Sequence, residues 1–294
     1  MKHPAIPVFA LIFSSCLWGL SWIPLKALNS LGFEGVFLVL SGQAILLALF
    51  FPCGFKVRIF LSHGKYLLGI FFTGGAAILC FSYALIHGDV IRVMVLFYLL
   101  PIWGVLGGRV FLGERIDAIR WLGVACALVG AFFILGGPQI FDAPPSWIDV
   151  IAFLSGLLFA ANNLFFRGVD DVPLPTKLLI MFAGCTLICL IVIALSHESY
   201  PTNVPLANYL WLILYALTWL LVANFLSQWA VTQMEAGRSS IIIIFELFAA
   251  VVSAVIIGKE MIELNEAFGG VLVVVAAMLE AFRFTPKAGD TLVH

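Results

Sequence analysis

One acid sits in the middle of an apolar run. The stretch 238–257, RSSIIIIFELFAAVVSAVII, is long enough to cross a bilayer and carries a single carboxylate, Glu246. An ionised side chain at the centre of such a helix costs about 2.5 to 3.5 kcal/mol on insertion scales, so it faces a wet cavity or a partner and not lipid. Glu246 is therefore the first candidate for interior chemistry, as a substrate ligand or a proton site; the bland alternative is an acid that only locks two helices together. Few other polar side chains fall inside apolar segments: Gln43, Ser82, Tyr83, Tyr98, Asn162, Asn163, Asn224 and Gln228. A spacing of four residues places Asn224 with Gln228 on one helix face, Trp18 with Trp22 on another beside Ser21, and Met94 with Tyr98 on a third. Aromatic faces of this kind hold an apolar side chain or an ammonium group, and amides fix a carboxylate. The candidate substrate-binding set is Trp18, Ser21, Trp22, Gln43, Tyr83, Tyr98, Trp103, Asn163, Asn224, Gln228 and Glu246. The amides and the acid weigh more than the rings, because most of 27 Phe, 8 Trp and 6 Tyr must pack or face lipid.

Two prolines fall where they would bend a helix. Pro24 and Pro101 lie inside apolar segments, and each removes a backbone bond to the carbonyl four residues back, Leu20 and Phe97. The freed carbonyls can bind substrate or serve a hinge; a static, packed kink is the other reading. Gly104 and Gly108 have the spacing of close helix packing.

The elements that must position these residues follow from composition. With 63% hydrophobic residues, 11% charged residues and a mean hydropathy of +1.14, too little polar surface remains to cover a water-soluble fold. Ten apolar segments have the length of a membrane crossing: 5–28, 33–53, 66–86, 90–112, 118–136, 147–168, 176–196, 206–232, 238–257 and 264–284. The first is read as a retained anchor, since it is too long for a signal peptide and lacks a small-residue cleavage site. An N-terminus in the cytoplasm puts twelve of the fifteen Lys and Arg inside and leaves Lys26, Arg92 and Lys259 outside. The positive-inside rule then places both termini in the cytoplasm, in a cytoplasmic (inner) membrane.

The halves of the chain repeat. An offset of 146 lays 82–115 on 227–261, pairing Glu114 with Glu260, Ala84 with Ala230 and Gly123 with Gly269. An offset of 141 lays WGLSWIPLK, 18–26, on FAANNLFFR, 159–167. Two five-span repeats, 1–138 and 139–294, must run in opposite orientation because five is odd. The expected fold is thus an all-α polytopic membrane protein of ten transmembrane helices in two inverted five-helix repeats, with a small-molecule substrate held near the midplane.

On these residues the chain resembles the drug/metabolite transporter superfamily of the EamA type: WGLSWIPLK in the first span, FYLLPIWGVLGGRVFLGER in the fourth, WLGVACALVG in the fifth, then the degenerate second copy. The Pro101 to Arg115 stretch, P-x10-L-G-E-R, is the most specific part. Within that superfamily FYLLP and the aromatic interior are most similar to YddG-type amino-acid exporters. The resemblance implies a secondary transporter that exports small metabolites, amino acids first among them, by alternating access. In the second copy Glu246-Leu247 replaces the usual Glu-Pro pair, so the proline that would bend the equivalent helix is missing.

Other classes remain to be weighed. A carrier of phosphorylated metabolites would want Lys or Arg deep in the cavity, a membrane-embedded enzyme would want a catalytic constellation, and a passive channel would need neither. No phosphate loop, H-E-x-x-H, G-x-S-x-G or EF-hand pattern occurs, so no enzymatic activity, cofactor or metal is expected. The six cysteines, Cys16, Cys53, Cys80, Cys126, Cys185 and Cys189, are scattered and read as free apolar side chains. A net charge of -1 without a basic tract argues against nucleic acid. The partners left are the bilayer and a small molecule; the oligomeric state stays open, with a monomer admissible.

Overall fold

A computed structural model describes residues 5–33, 35–87, 90–138, 146–196, 204–257 and 263–282. All its regular elements are helices. In chain order they are α1 (Ala5–Gly19), α2 (Trp22–Ser30), α3 (Gly35–Gly54), α4 (Val57–His87), α5 (Val90–Phe97), α6 (Leu100–Leu112), α7 (Ala118–Ile134), α8 (Trp147–Gly168), α9 (Leu174–Ser196), α10 (Leu206–Tyr215), a π-helical turn (Ala216–Leu220), α11 (Leu221–Gln233), α12 (Ala236–Ile243), α13 (Phe245–Ile256) and α14 (Leu264–Phe282). Three broken pairs, α1–α2, α5–α6 and α12–α13, each make one crossing, and α10 to α11 make another through the π turn. Nine stretches of described residues are long and apolar enough to span a bilayer, and α7, at 17 residues, is the shorter tenth.

The two halves interlock. α4 packs on α8 and α9, α3 on α9, α7 on α14, α6 on α8 and α12, and α1 on α11 and α13. Almost every major contact therefore joins the first half to the second. Small residues permit this: at the α7–α14 crossing a Cβ on Gly269 would stand 2.5 Å from the Gly130 carbonyl oxygen. Without a hydrophobic drive between helices in lipid, such backbone approach and the packing it allows are what hold a bundle together. Phe9, Leu68, Val110, Leu210 and Val271 point outward, a surface suited to acyl chains.

A cluster of charge is buried at one end of the bundle. Arg120, on the first turn of α7, is fully enclosed. Its guanidinium meets Glu280 of α14 at 3.4 Å, Glu114 of the α6–α7 link at 3.6 Å, and Glu235 before α12 in a short contact. Glu114 in turn accepts from the Ala236 and Gly237 N–H groups at 2.6 and 3.1 Å, capping α12. Burial pushes its carboxyl above the usual range, a shift those two backbone bonds and Arg120 oppose. Nearby, Lys177 of α9 donates to the Phe166 and Val169 carbonyls, each at 2.9 Å, and to the Thr232 hydroxyl at 3.2 Å. In the sequence Arg120 and Lys177 counted only as cytoplasmic charges and Glu114 only as a marker of the repeat and the family; the fold uses them, with Glu235 and Glu280, to tie α6, α7, α8, α9, α11, α12 and α14 at one end.

Candidate functional site

Both halves break a helix at the same place in the repeat. α5 ends at Phe97 and α6 restarts at Leu100, with Pro101 in its first turn; α12 ends at Ile243 and α13 restarts at Phe245. The offset of 146 carries Tyr98 onto Ile244, so the interruptions correspond. Short i to i+3 bonds mark both: Ile102 N–H to the Leu99 carbonyl at 3.0 Å, and Leu247 N–H to the Ile244 carbonyl at 2.9 Å. The second break thus persists although Glu246-Leu247 lacks the proline that would bend the helix. Tertiary packing imposes it: α12 is buried on every residue, and Gly19 of α1 presses on the Glu246 carbonyl.

Breaking the helix places Glu246 in the first turn of α13. There the unpaired N–H groups and the positive end of the helix dipole favour a carboxylate. The Tyr98 hydroxyl, buried at the other break, pairs with that carboxylate, so the two interruptions meet through their side chains.

Glu246 opens onto a cavity of about 140 Å³ in the middle of the bundle. Trp18, Phe81, Phe97, Phe159, Ile78, Ile243 and Met181 form its apolar walls. Its polar lining is Ser15, Asn162, Asn224, Ser227, Gln228 and Glu246. The Asn224 amide nitrogen donates back to the Leu220 carbonyl at 2.8 Å, and that of Asn162 reaches the Met181 sulfur at 3.9 Å. The Asn162 Oδ1 and Gln228 Oε1 atoms are buried without a hydrogen-bond partner.

Of the residues singled out by sequence, Trp18, Asn224, Gln228 and Glu246 line this cavity, and Tyr98 stands behind Glu246. The others lie elsewhere. Asn163 is buried but does not line it; its neighbour Asn162 does, since successive residues on a helix point about 100° apart. Gln43 is buried in α3, away from the lining. Trp103 packs edge-on against Phe153, and Tyr83 tilts against Trp147. Trp22 donates to the Ser253 hydroxyl at 3.0 Å, tying α2 to α13 rather than facing the chamber, and Ser21 occupies the turn between α1 and α2. Pro24 lines a separate groove beside Trp211 and Trp219. The carbonyl it was expected to free, Leu20, accepts from the Ile23 N–H at 3.1 Å and so offers no vacant ligand. The Phe97 carbonyl rests against Gly156, where a Cβ would be 2.5 Å away.

Sequence reasoning missed Ser15, Ser227 and the π turn. The turn leaves Trp219 donating to the Leu17 carbonyl at 3.0 Å, one residue from Trp18 of the cavity. Ser15 and Ser227 carried a faint trace in the sequence, each one turn or less from a flagged neighbour, Trp18 and Gln228.

Comparisons with known proteins agree with the repeat. The pattern of the EamA-like transporter family matches residues 5–136 and again 146–281. The chain is 22% identical to an uncharacterized transporter, YoaV, of Bacillus subtilis over 293 residues, covering 95% of this chain and 98% of that one. It is 33% identical to a riboflavin transporter of Rhizobium johnstonii over 75 residues, 26% of this chain and 24% of that one. A solved crystal structure superposes with a TM-score of 0.70 at 16% identity, covering 93% of this chain and 96% of the other, which is a likeness of fold. With ten crossings, a duplicated five-helix unit and both family matches in register with it, the chain belongs to the EamA-like transporter family, as an all-α polytopic membrane protein of two inverted repeats.

Proposed function

We propose that this transporter is a secondary carrier of apolar or aromatic amino acids, exporting them across the cytoplasmic membrane by alternating access. The observation that carries the reading is the mid-bundle cavity itself: one carboxylate and two unpartnered amide oxygens set in a wall of aromatic rings. An engineered apolar cavity of about 150 Å³ accepts benzene. A volume of about 140 Å³ therefore suits a phenyl or branched aliphatic side chain. The flavin suggested by the Rhizobium relative has a three-ring system and would need a much wider chamber. A phosphorylated substrate has no basic partner among the described lining residues.

The halves 1–138 and 139–294 supply the moving parts, with the termini cytoplasmic as the Lys and Arg distribution directs. That orientation puts the Arg120 cluster and Lys177 at the cytoplasmic end, where they close the bundle below the cavity. The breaks at Tyr98–Leu99 and Ile244 are the hinges, and Pro101 keeps the first from healing into a continuous helix.

Purified protein in proteoliposomes tests the reading. Uptake of labelled phenylalanine is expected to saturate and to be blocked by excess unlabelled phenylalanine. Pro101→Ala is expected to lower the maximal rate roughly threefold to tenfold with little change in half-saturation, because the conformational step suffers and binding does not. Flux that rises linearly with concentration would overturn the carrier assignment, and an unchanged rate in the variant would reduce Pro101 to a packing residue.

A further inference from the structure

We propose that the cavity reads its substrate through the ammonium group alone, so that apolar primary amines lacking a carboxylate are ligands of the same site. The inference rests on the amino-acid reading above and deepens it. The acceptors of the cavity stand out. Glu246 supplies a carboxylate, and the Asn162 and Gln228 side chains, 1% and 3% exposed, present oxygens with no partner. The lining's amide donors at Asn162 and Asn224 are already turned to Met181 and to the Leu220 carbonyl.

The described cations that reach into the bundle are occupied elsewhere. Arg120 is held by three carboxylates, Lys177 by two carbonyls and a hydroxyl, and Arg167 donates to the Thr232 carbonyl at 3.0 Å. Arg238 donates to the Ala281 carbonyl at 2.8 Å. None of them lines the cavity, so no positive charge awaits a carboxylate among the described lining residues. An ammonium group has three donors and no acceptor, which suits a lining that offers a carboxylate and two unpartnered amide oxygens. Trp18, Phe97 and Phe159 add ring faces, which attract a cation and hold an apolar body. A carboxylate bound without a countercharge would instead lose its hydration with nothing to replace it.

Isothermal titration of the detergent-purified protein with three probes of equal skeleton separates the possibilities: phenylalanine, phenethylamine and 3-phenylpropionate. Using purified protein avoids passive leakage of the amine through vesicles. Phenethylamine is expected to bind within about threefold of phenylalanine, and phenylpropionate at least about tenfold more weakly, the lower edge of what a hydrogen bond to a charged group contributes. Asn162→Leu should weaken phenylalanine and phenethylamine in parallel. Binding of phenylpropionate but not of phenethylamine would overturn the proposal while leaving the amino-acid reading intact. Binding of phenylalanine alone would do the same, by making both charges necessary. Failure of all three probes would overturn the amino-acid reading and this inference with it. If Asn162→Leu does not fold, Gln228→Leu asks the same question from α11.

Discussion

Arg120→Ala is expected to destabilise the protein by about 3 to 5 kcal/mol, the range for removing one partner of a buried charge network. The guanidinium is fully enclosed, and its loss takes an ion-pair partner from Glu280, which is also fully enclosed, and from Glu114, which is nearly so. The damage should spread, because Glu114 also caps α12, the first half of the crossing that carries Glu246. In detergent this should appear as a fall of about 6 to 20 °C in apparent melting temperature, on the usual relation between free energy and midpoint for chains of a few hundred residues. Glu235→Gln should cost less, since Glu235 is 28% exposed and water can take over part of its interaction. Arg120→Lys should fall between them: it keeps the charge and loses the planar fork that reaches several carboxylates at once. Equal melting points for wild type and Arg120→Ala would mean that the network contributes nothing to holding this end of the bundle together.

Glu246→Gln is expected to lower the transport rate by about 10- to 100-fold at normal expression, since a charged hydrogen bond to substrate is worth about 1.5 to 3 kcal/mol. Glutamine keeps the shape and the hydrogen bond to Tyr98, so the fold should survive. Tyr98→Phe should act in the same direction but more weakly, because the hydroxyl orients the carboxylate and does not line the cavity. Binding measured by titration should fall with the rate in Glu246→Gln, whereas an acid that merely locks α5 to α13 would show a lowered melting temperature with intact binding. Full transport by the glutamine variant would remove Glu246 from the site.

Hydropathy made the ten crossings legible, and α8 spans Trp147–Gly168 as the apolar run suggested. The proline-marked interruptions near Pro24 and Pro101 were legible too, because the missing N–H and the fixed φ act locally. The break at Ile244 was not, for its cause lies in α1 and in the burial of α12 and not in its own residues. Helix phase was the harder limit. Asn162 and Asn163 are equivalent in a sequence, and only the packing of α8 decides which one meets the cavity. The Arg120 network spans separations of up to 160 residues, from α7 to α14, and no local pattern announces such a pairing. Arg120 and Glu280 sit near segment ends, where charges are ordinarily solvated, and Glu114 stood out only through the repeat and the L-G-E-R stretch, neither of which points to a buried ion pair.

The proposed carrier presents one cavity to each side in turn. Counterflow tests it most directly: proteoliposomes loaded with unlabelled phenylalanine are diluted into a trace of labelled phenylalanine. The account predicts transient accumulation of label above its equilibrium level, stimulated by the internal substrate and lost in Glu246→Gln. Label that only equilibrates, at a rate indifferent to the internal substrate and to position 246, would contradict it.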